Sequence, residues 1–270
     1  TMSENLRWFW IFAAPTVFAL LALKKKSVSL DGSVAGWIVA FVSALAGLEF
    51  LLTLLFFFVS STLFTKMGAR NKMKIDAEYK IGGQRNYIQV FANGFAGTIA
   101  SLLFVLSEDT HRRSMFAAAF VGHYACCCGD TWASESGTAF SHKVLTTPIL
   151  ITTLKPVPSG TNGGISIIGT LASAAGGAAI GLVFSLASSG LWDPSRTILL
   201  GCAGGFGGSM IDSLLGAVLQ FSGIKGEQVF NAPGPGVARI CGMNMLDNHQ
   251  VNFLASLTTS IVTGLLAALP

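Results

Sequence analysis

The apolar positions of this chain fall in long runs, not in the two-residue alternation of a half-buried strand. A membrane-crossing helix needs about 20 mostly apolar residues, sometimes as few as about 17. Eight runs meet or approach that length: Leu6 to Leu23, Ser33 to Gly47, Leu48 to Phe64, Tyr87 to Leu106, Ser114 to Cys128, Gly163 to Ala187, Thr197 to Gln220 and Val251 to Leu269. The stretch from Ser33 to Phe64 is continuous except for Glu49 near its middle, and it reads as two helices joined by a tight turn near Gly47–Glu49. A single long tilted helix, giving seven spans, is the alternative. The pattern thus predicts an all-α fold, a polytopic membrane helix bundle with about eight transmembrane helices, as a single integral membrane domain over residues 1–270.

The polar intervals sort by length and charge. With eight spans, one face holds Lys24 to Leu30, Thr65 to Asn86, Gly129 to Asn162 and Phe221 to Gln250. Those four segments carry 13 of the 17 Lys and Arg residues; the opposite face has only Arg7, Arg112, Arg113 and Arg196. Basic residues accumulate in cytoplasmic loops, so the long loops are expected in the cytosol, with both termini on the far side. An endoplasmic reticulum or other endomembrane location fits that orientation. No cleavable signal peptide is expected, and the first apolar run reads as an uncleaved anchor.

Composition sharpens the same picture. Only 11% of the residues are charged, against about 25% in soluble domains, and mean hydropathy is +0.62. The 31 glycines suit close helix packing in lipid. The net charge of +4 is explained by loop bias and gives no reason to expect nucleic acid. The five cysteines, Cys126, Cys127, Cys128, Cys202 and Cys241, have neither disulfide nor metal-ligand spacing and read as buried thiols.

The candidate chemistry lies at the loop face. In Cys128 to Gly137 (CGDTWASESG), His123, Asp130 and Ser134 share a face if the helix continues. Glu135 then points about 140° from Asp130, so the two acids share an ion only if the helix breaks, for instance at Gly129. Capping by Asp130 with a solvated Glu135 is the plainer reading. Lys155 to Gly164 (KPVPSGTNGG) is a Gly/Thr/Asn-rich loop before a helix, suited to an anion and equally to an ordinary turn; it has no GxxxxGK[ST] pattern. Gly208, Asp212 and Gly216 recur at four-residue spacing, and Gly169, Ser173, Gly177 and Gly181 form a matching ridge. Small residues explain the ridges; an acid within an apolar helix, Asp212, points to a metal or proton site. Asp247 can cap the last helix, with Asn248, Asn252 and Ser256 as an inward stripe and His249 interfacial. Lys80 and Arg85, in Glu78 to Tyr87, could hold phosphates or lipid headgroups. Acids, cations and a glycine loop on one face suggest Mg²⁺ and phosphate.

Six segments carry a family resemblance: LKKKSVSLDGSVAG (Leu23–Gly36), EYKIGGQRNYIQVFANG (Glu78–Gly94), CGDTWASESG (Cys128–Gly137), PSGTNGGIS (Pro158–Ser166), GSMIDSLLGAVLQ (Gly208–Gln220) and LDNHQVNFLAS (Leu246–Ser256). In this order they resemble the transmembrane protein 19 family, which includes the plant phytyl-phosphate kinases of vitamin E synthesis. The segment Gln228–Arg239, with its APGPG, departs from the pattern. The resemblance implies a CTP- or NTP-dependent kinase that converts an isoprenoid monophosphate to the diphosphate with Mg²⁺ or another divalent cation. It implies Asp130, Glu135 and Asp212 as catalytic acids and Asp130, Asp212 and Asp247 as metal ligands. Nucleotide or phosphate contacts would come from Gln84, Arg85, Asn86, Lys155, Thr161, Asn162, Gly163, Gly164, Ser213, Asn248 and Asn252. Expected partners are a lipid phosphate held in the bilayer and a nucleotide, with a homodimer left open. Two other classes remain: an ion or small-solute transporter with an intramembrane carboxylate site, and a cytidylyl or phospho-alcohol transferase, although no DGxxAR…GxxxDxxxD pattern occurs.

Overall fold

The computed structural model describes residues 4–75, 84–139 and 147–268. Its helices are α1 (Glu4–Lys24), α2 (Leu30–Ala46), α3 (Leu48–Ile75), α4 (Tyr87–Ala92), α5 (Phe95–Leu106), α6 (Thr110–Ala139), α7 (Ile167–Ala187), α8 (Pro194–Leu219) and α9 (Asn248–Leu266). Four stretches are long and apolar enough to cross a membrane: α1, Leu48–Met67 within α3, α7 and α8. The other expected runs fall on α2 and α5, which are apolar but shorter, and on α6 and α9. The outward faces are apolar: Phe9 is 61% exposed, Leu199 70% and Leu265 58%. Large apolar side chains on the surface and small polar ones inside, such as Ser43, Ser173 and Ser256, are the arrangement expected when lipid is the solvent.

One local outcome follows the reading of the runs, and two depart from it. The turn between α2 and α3 takes one residue, Gly47, so the continuous stretch Ser33–Phe64 is two helices. The run Tyr87–Leu106 is interrupted at Asn93–Gly94 into α4 and α5. A broken helix frees backbone carbonyls that must find partners where water is scarce. The Asn93 carbonyl finds two on α6: the His123 Nε2, 3.0 Å away, and the Cys127 thiol, which donates over 3.7 Å. Finally, α3 and α6 run well past their apolar segments into the loop face.

The loop face also carries strands, which the helical pattern did not predict. β1 (Ile149–Leu150) pairs antiparallel with β2 (Gly164–Ile165), and β3 (Ser222–Lys225) is flanked by β4 (Gln228–Phe230) and β5 (Ala238–Cys241), both antiparallel. The atypical Gln228–Arg239 segment thus supplies β4 and the start of β5 in a small three-stranded sheet.

The core lies toward the opposite end. Phe50 packs on Phe104, Phe120 and Phe184 with ring centroids 4.7, 4.6 and 5.2 Å away. These rings tie the start of α3 to the end of α5, the start of α6 and the end of α7. In lipid such contacts stabilise through packing and not through release of water. Glycines supply the closest contacts elsewhere. A Cβ on Gly205 would meet the Ser173 carbonyl at 2.5 Å and the Gly177 Cα at 2.7 Å. A Cβ on Gly129 would meet the same carbonyl at 2.7 Å and the Gly205 Cα at 2.8 Å. Backbones of α6, α7 and α8 therefore touch. The α8 ridge facing α7 is Thr197, Gly201 and Gly205; Gly208 instead faces Cys126 and Thr259, and Gly216 faces Gln220 and the loop at Asn162–Gly163.

Candidate functional site

A cavity of about 1600 Å³ opens at the loop face and takes lining from all four loop segments that the charge bias assigned to one side. Its polar floor is built on α6. That helix does not break at Gly129: it continues to Ala139, and Gly129 serves instead as a packing contact. Asp130 and Glu135 therefore diverge, as the helical period requires, and take different partners.

Asp130 turns toward α8, where the Ser209 hydroxyl donates to its Oδ1 over 3.5 Å, and its charge acts directly on Asp212. Asp212 in turn meets α9: the Asn252 amide, oriented with its nitrogen toward acceptors, donates to Asp212 Oδ2 at 3.2 Å and to the Asn248 carbonyl at 2.9 Å. Amide orientation follows from those partners. Beside this pair lies a void of about 10 Å³ bounded by Asn93, Cys126, Cys127, Asp130, Asp212 and Asn252, close to the room one water-sized body needs.

Glu135 is buried and faces the approach to α4, where its charge acts on Arg85. Arg85 is held at several points. Its guanidinium donates to Thr62 Oγ1 at 2.9 Å and lies 5.2 Å from the Phe58 ring centroid. Its carbonyl accepts from the Ser29 N–H at 3.0 Å and the Ser29 hydroxyl at 3.1 Å, and its own N–H donates to the Ser27 carbonyl at 3.2 Å. Desolvation draws the Arg85 pKa down from its ordinary value, and Glu135 opposes that. Asp31 accepts from the Tyr87 N–H at 3.1 Å, and the Ser29 hydroxyl followed by this N–H holds its carboxyl below the usual range. The Leu23–Gly36 segment and the Gln84–Gly94 part of its motif partner are thus two sides of one junction.

The Thr161–Gly164 loop lines the cavity beside α8. Gly163 has φ +76°, and a Cβ there would meet the Ser213 carbonyl at 2.6 Å, so glycine is required by both conformation and space. The Asn162 side chain is committed to the sheet: its Nδ2 donates to the Phe221 carbonyl and to Asn231 Oδ1, each at 3.0 Å. Ser213, Asn248 and Asp247 also line the cavity, but Asp247 closes a capping box with Gln250 at the start of α9. Among the described residues no group of three or more His, Cys, Asp or Glu side chains converges on one point.

The cavity does not gather every residue singled out from the sequence. Gln84 and Asn86 flank Arg85 without lining it; Asn86 caps α4 in a capping box with Gln89. Lys155 is exposed outside the lining, on the turn after Leu154, which has φ +56°. Lys80 lies outside the described residues. Conversely, Lys25, Lys26 and Lys66 line the cavity. The charge bias counts them only among the loop charges of this face; the further signal is their place at the ends of two apolar runs that converge. His123 is not on the cavity lining, because its ring serves the Asn93 carbonyl.

Comparisons with known proteins agree with this architecture. The family described as integral membrane protein DUF92 matches residues 13–260. Protein PGR of Arabidopsis thaliana is 38% identical over 97% of each chain. An uncharacterized membrane protein, MJ0933, of Methanocaldococcus jannaschii is 30% identical over 90% of this chain and 96% of its own. Protein VTE6, chloroplastic, of Arabidopsis thaliana is 32% identical over 43% of this chain and 34% of its own. No solved structure matches. The relation to the plant phytyl-phosphate kinases expected from the motifs stands with these matches. The chain belongs to the integral membrane protein DUF92 family.

Proposed function

We propose that the protein is a membrane kinase that transfers the terminal phosphoryl group of a nucleoside triphosphate, CTP by resemblance, to an isoprenoid monophosphate. The observation carrying this reading is that one cavity combines a carboxylate pair, Asp130 and Asp212, with a cationic rim of Arg85, Lys25, Lys26 and Lys66. Two neighbouring acids, with the Asn252 amide beside them, fit Mg²⁺, which is typically held by one or two carboxylates and substrate phosphates. Asp130 and Asp212 would hold that ion, which would supply positive charge against the phosphates. An oxygen of the prenyl monophosphate forms the new bond to the terminal phosphorus, the bond to the bridging oxygen breaks, and the nucleoside diphosphate leaves.

The nucleophile sets what the cavity must supply. A monophosphate has a second pKa near 6, so its attacking oxygen is already ionised at neutral pH and needs no general base. The protein's task is then positioning and charge neutralisation. Arg85, fixed by Thr62 and Phe58, presents a cation to a phosphate, and Glu135 positions that guanidinium. Lys25, Lys26 and Lys66 add mobile charge at the mouth. The Thr161–Gly164 loop offers backbone beside the metal-binding end.

The test is product analysis. Purified protein in nanodiscs, given prenyl monophosphate, Mg²⁺ and CTP labelled in its terminal phosphate, is expected to yield labelled prenyl diphosphate and CDP. Release of pyrophosphate would replace this reading with cytidylyl transfer. Absence of turnover with cation uptake into sealed vesicles would replace it with transport.

A further inference from the structure

The cavity has a second limb that the reacting groups do not use. Away from the carboxylates it continues between α1, α2 and α3, along Ala22, Gly36, Val39, Leu54 and Phe57. Val39 and Leu54 also belong to the buried aromatic core, so the deep end of the limb lies against that core. Its polar end is marked by one ring. Phe58 lies under the Arg85 guanidinium and meets Phe18 of α1 edge-to-face at 5.1 Å. Cation and apolar limb therefore adjoin at a single side chain.

Gly36 is the informative position. It lines the limb, yet a Cβ built there meets nothing within 4 Å. Most glycines in this bundle are there because another backbone touches them; Gly36 faces open space. Helical geometry sets the depth. From Gly32, level with Arg85, to Val39 along α2, and from Thr62 to Leu54 along α3, the limb is about 10–12 Å deep, room for about two to three isoprene units.

We propose that this limb is the tail subsite of the lipid phosphate, with Gly36 the residue that sets how much of the tail is enclosed. The proposal rests on the kinase reading for its assay, though not for its geometry. A tail entering between α1 and α3 places its phosphate under Arg85 and its first units beside Gly36. Units beyond about the third lie outside in the bilayer, so affinity rises with tail length only until the limb is full.

Two measurements on the full-length protein in nanodiscs test this. The first is kcat/KM across prenyl monophosphates of five to twenty carbons, in the parent and in Gly36→Leu. Leucine favours the helix over glycine, and its Cβ meets no protein atom within 4 Å, so the variant is expected to fold. The ratio of long-tail to five-carbon kcat/KM is expected to fall by about tenfold or more. The second is labelling by a photoactivatable twenty-carbon prenyl monophosphate, expected on peptides of α1, α2 and α3 and lost in Gly36→Leu. An unchanged length ratio, or labelling confined to other helices, overturns the tail subsite. Labelling of the limb in a protein without turnover supports the subsite and refutes the kinase reading instead.

Discussion

Replacing Gly32 by alanine tests the junction that carries Arg85. Gly32 sits in the first turn of α2, and a Cβ there would strike the Arg85 carbonyl oxygen and lie 3.1 Å from both its carbon and the Ser29 hydroxyl. The obstacle is backbone, so it cannot swing aside as a side chain can. Three of the hydrogen bonds across the junction hold the Arg85 backbone: two from Ser29 to the Arg85 carbonyl and one from the Arg85 N–H to Ser27. At about 1 kcal/mol each they contribute about 3 kcal/mol. Alanine returns about 1 kcal/mol or less through helix propensity. The net loss of about 2 kcal/mol corresponds to an apparent Tm about 4–8 °C lower for a chain of this size. Moving Arg85 by about an ångström also weakens phosphate positioning, by up to about a hundredfold in kcat/KM. Ser29→Ala is the companion: it removes the cap and one junction bond without the clash, at about 1 kcal/mol. Thermal unfolding in detergent and prenyl monophosphate kinetics read both effects. A Gly32→Ala protein as stable as the parent with unchanged kinetics would show that the close approach is immaterial.

Asp212→Asn is expected to fold, since Asn252 can still hydrogen-bond the amide, and to lose about a thousandfold in kcat; kinetics against Mg²⁺ concentration check it, and retained turnover removes Asp212 from the metal site. Arg85→Lys keeps the charge but not the fork that spans Thr62 and Phe58, so KM for the prenyl monophosphate should rise about tenfold with kcat changed less. Lys155→Ala should alter kcat/KM less than about twofold, because an exposed charge outside the cavity acts through screened water; a tenfold loss would show that the Lys155 turn closes over the substrate.

How far the sequence carried is plain from individual residues. Apolar runs made the helices legible, and the loop charges located the face where the cavity opens. Asp212 stood out because an ionisable group in an apolar helix has little reason to be there without a task. Asp247 was ambiguous by nature: the same carboxylate can ligate or cap, and only the return bond from Gln250 distinguishes the capping box. Lys155 and Lys25 were interchangeable as one-dimensional charges; which of them reaches the cavity depends on how the Pro148–Gly164 hairpin and the α1–α2 turn fold back. The break at Asn93–Gly94 was hidden within an apolar run, because its cost is met by His123 and Cys127, thirty or more residues away. The glycine ridge was misplaced for a related reason. Gly204–Gly205 and Gly207–Gly208 offer two four-residue ladders on one helix, and choosing between them requires knowing which neighbour lies on which side.

That choice bears on the chemistry. Gly129, Gly177, Gly201 and Gly205 let the backbones of α6, α7 and α8 touch, and this contact sits one residue from Asp130 and seven from Asp212. With one helix pinned against the other so close to both acids, neither carboxylate can retreat far along its axis, and mutual repulsion has no easy outlet through helix sliding. On the proposed metal reading, a cation bound between the two acids would offset that repulsion. Enlarging Gly205 should therefore act on ion binding as well as on folding. Gly205→Ala is expected to lower the apparent Tm and to weaken Mg²⁺ dependence of stability, read as a smaller Tm rise on adding Mg²⁺ than the parent shows. An equal Mg²⁺-induced rise in a destabilised Gly205→Ala protein would separate the two acids from the glycine contact and leave that contact a purely structural one.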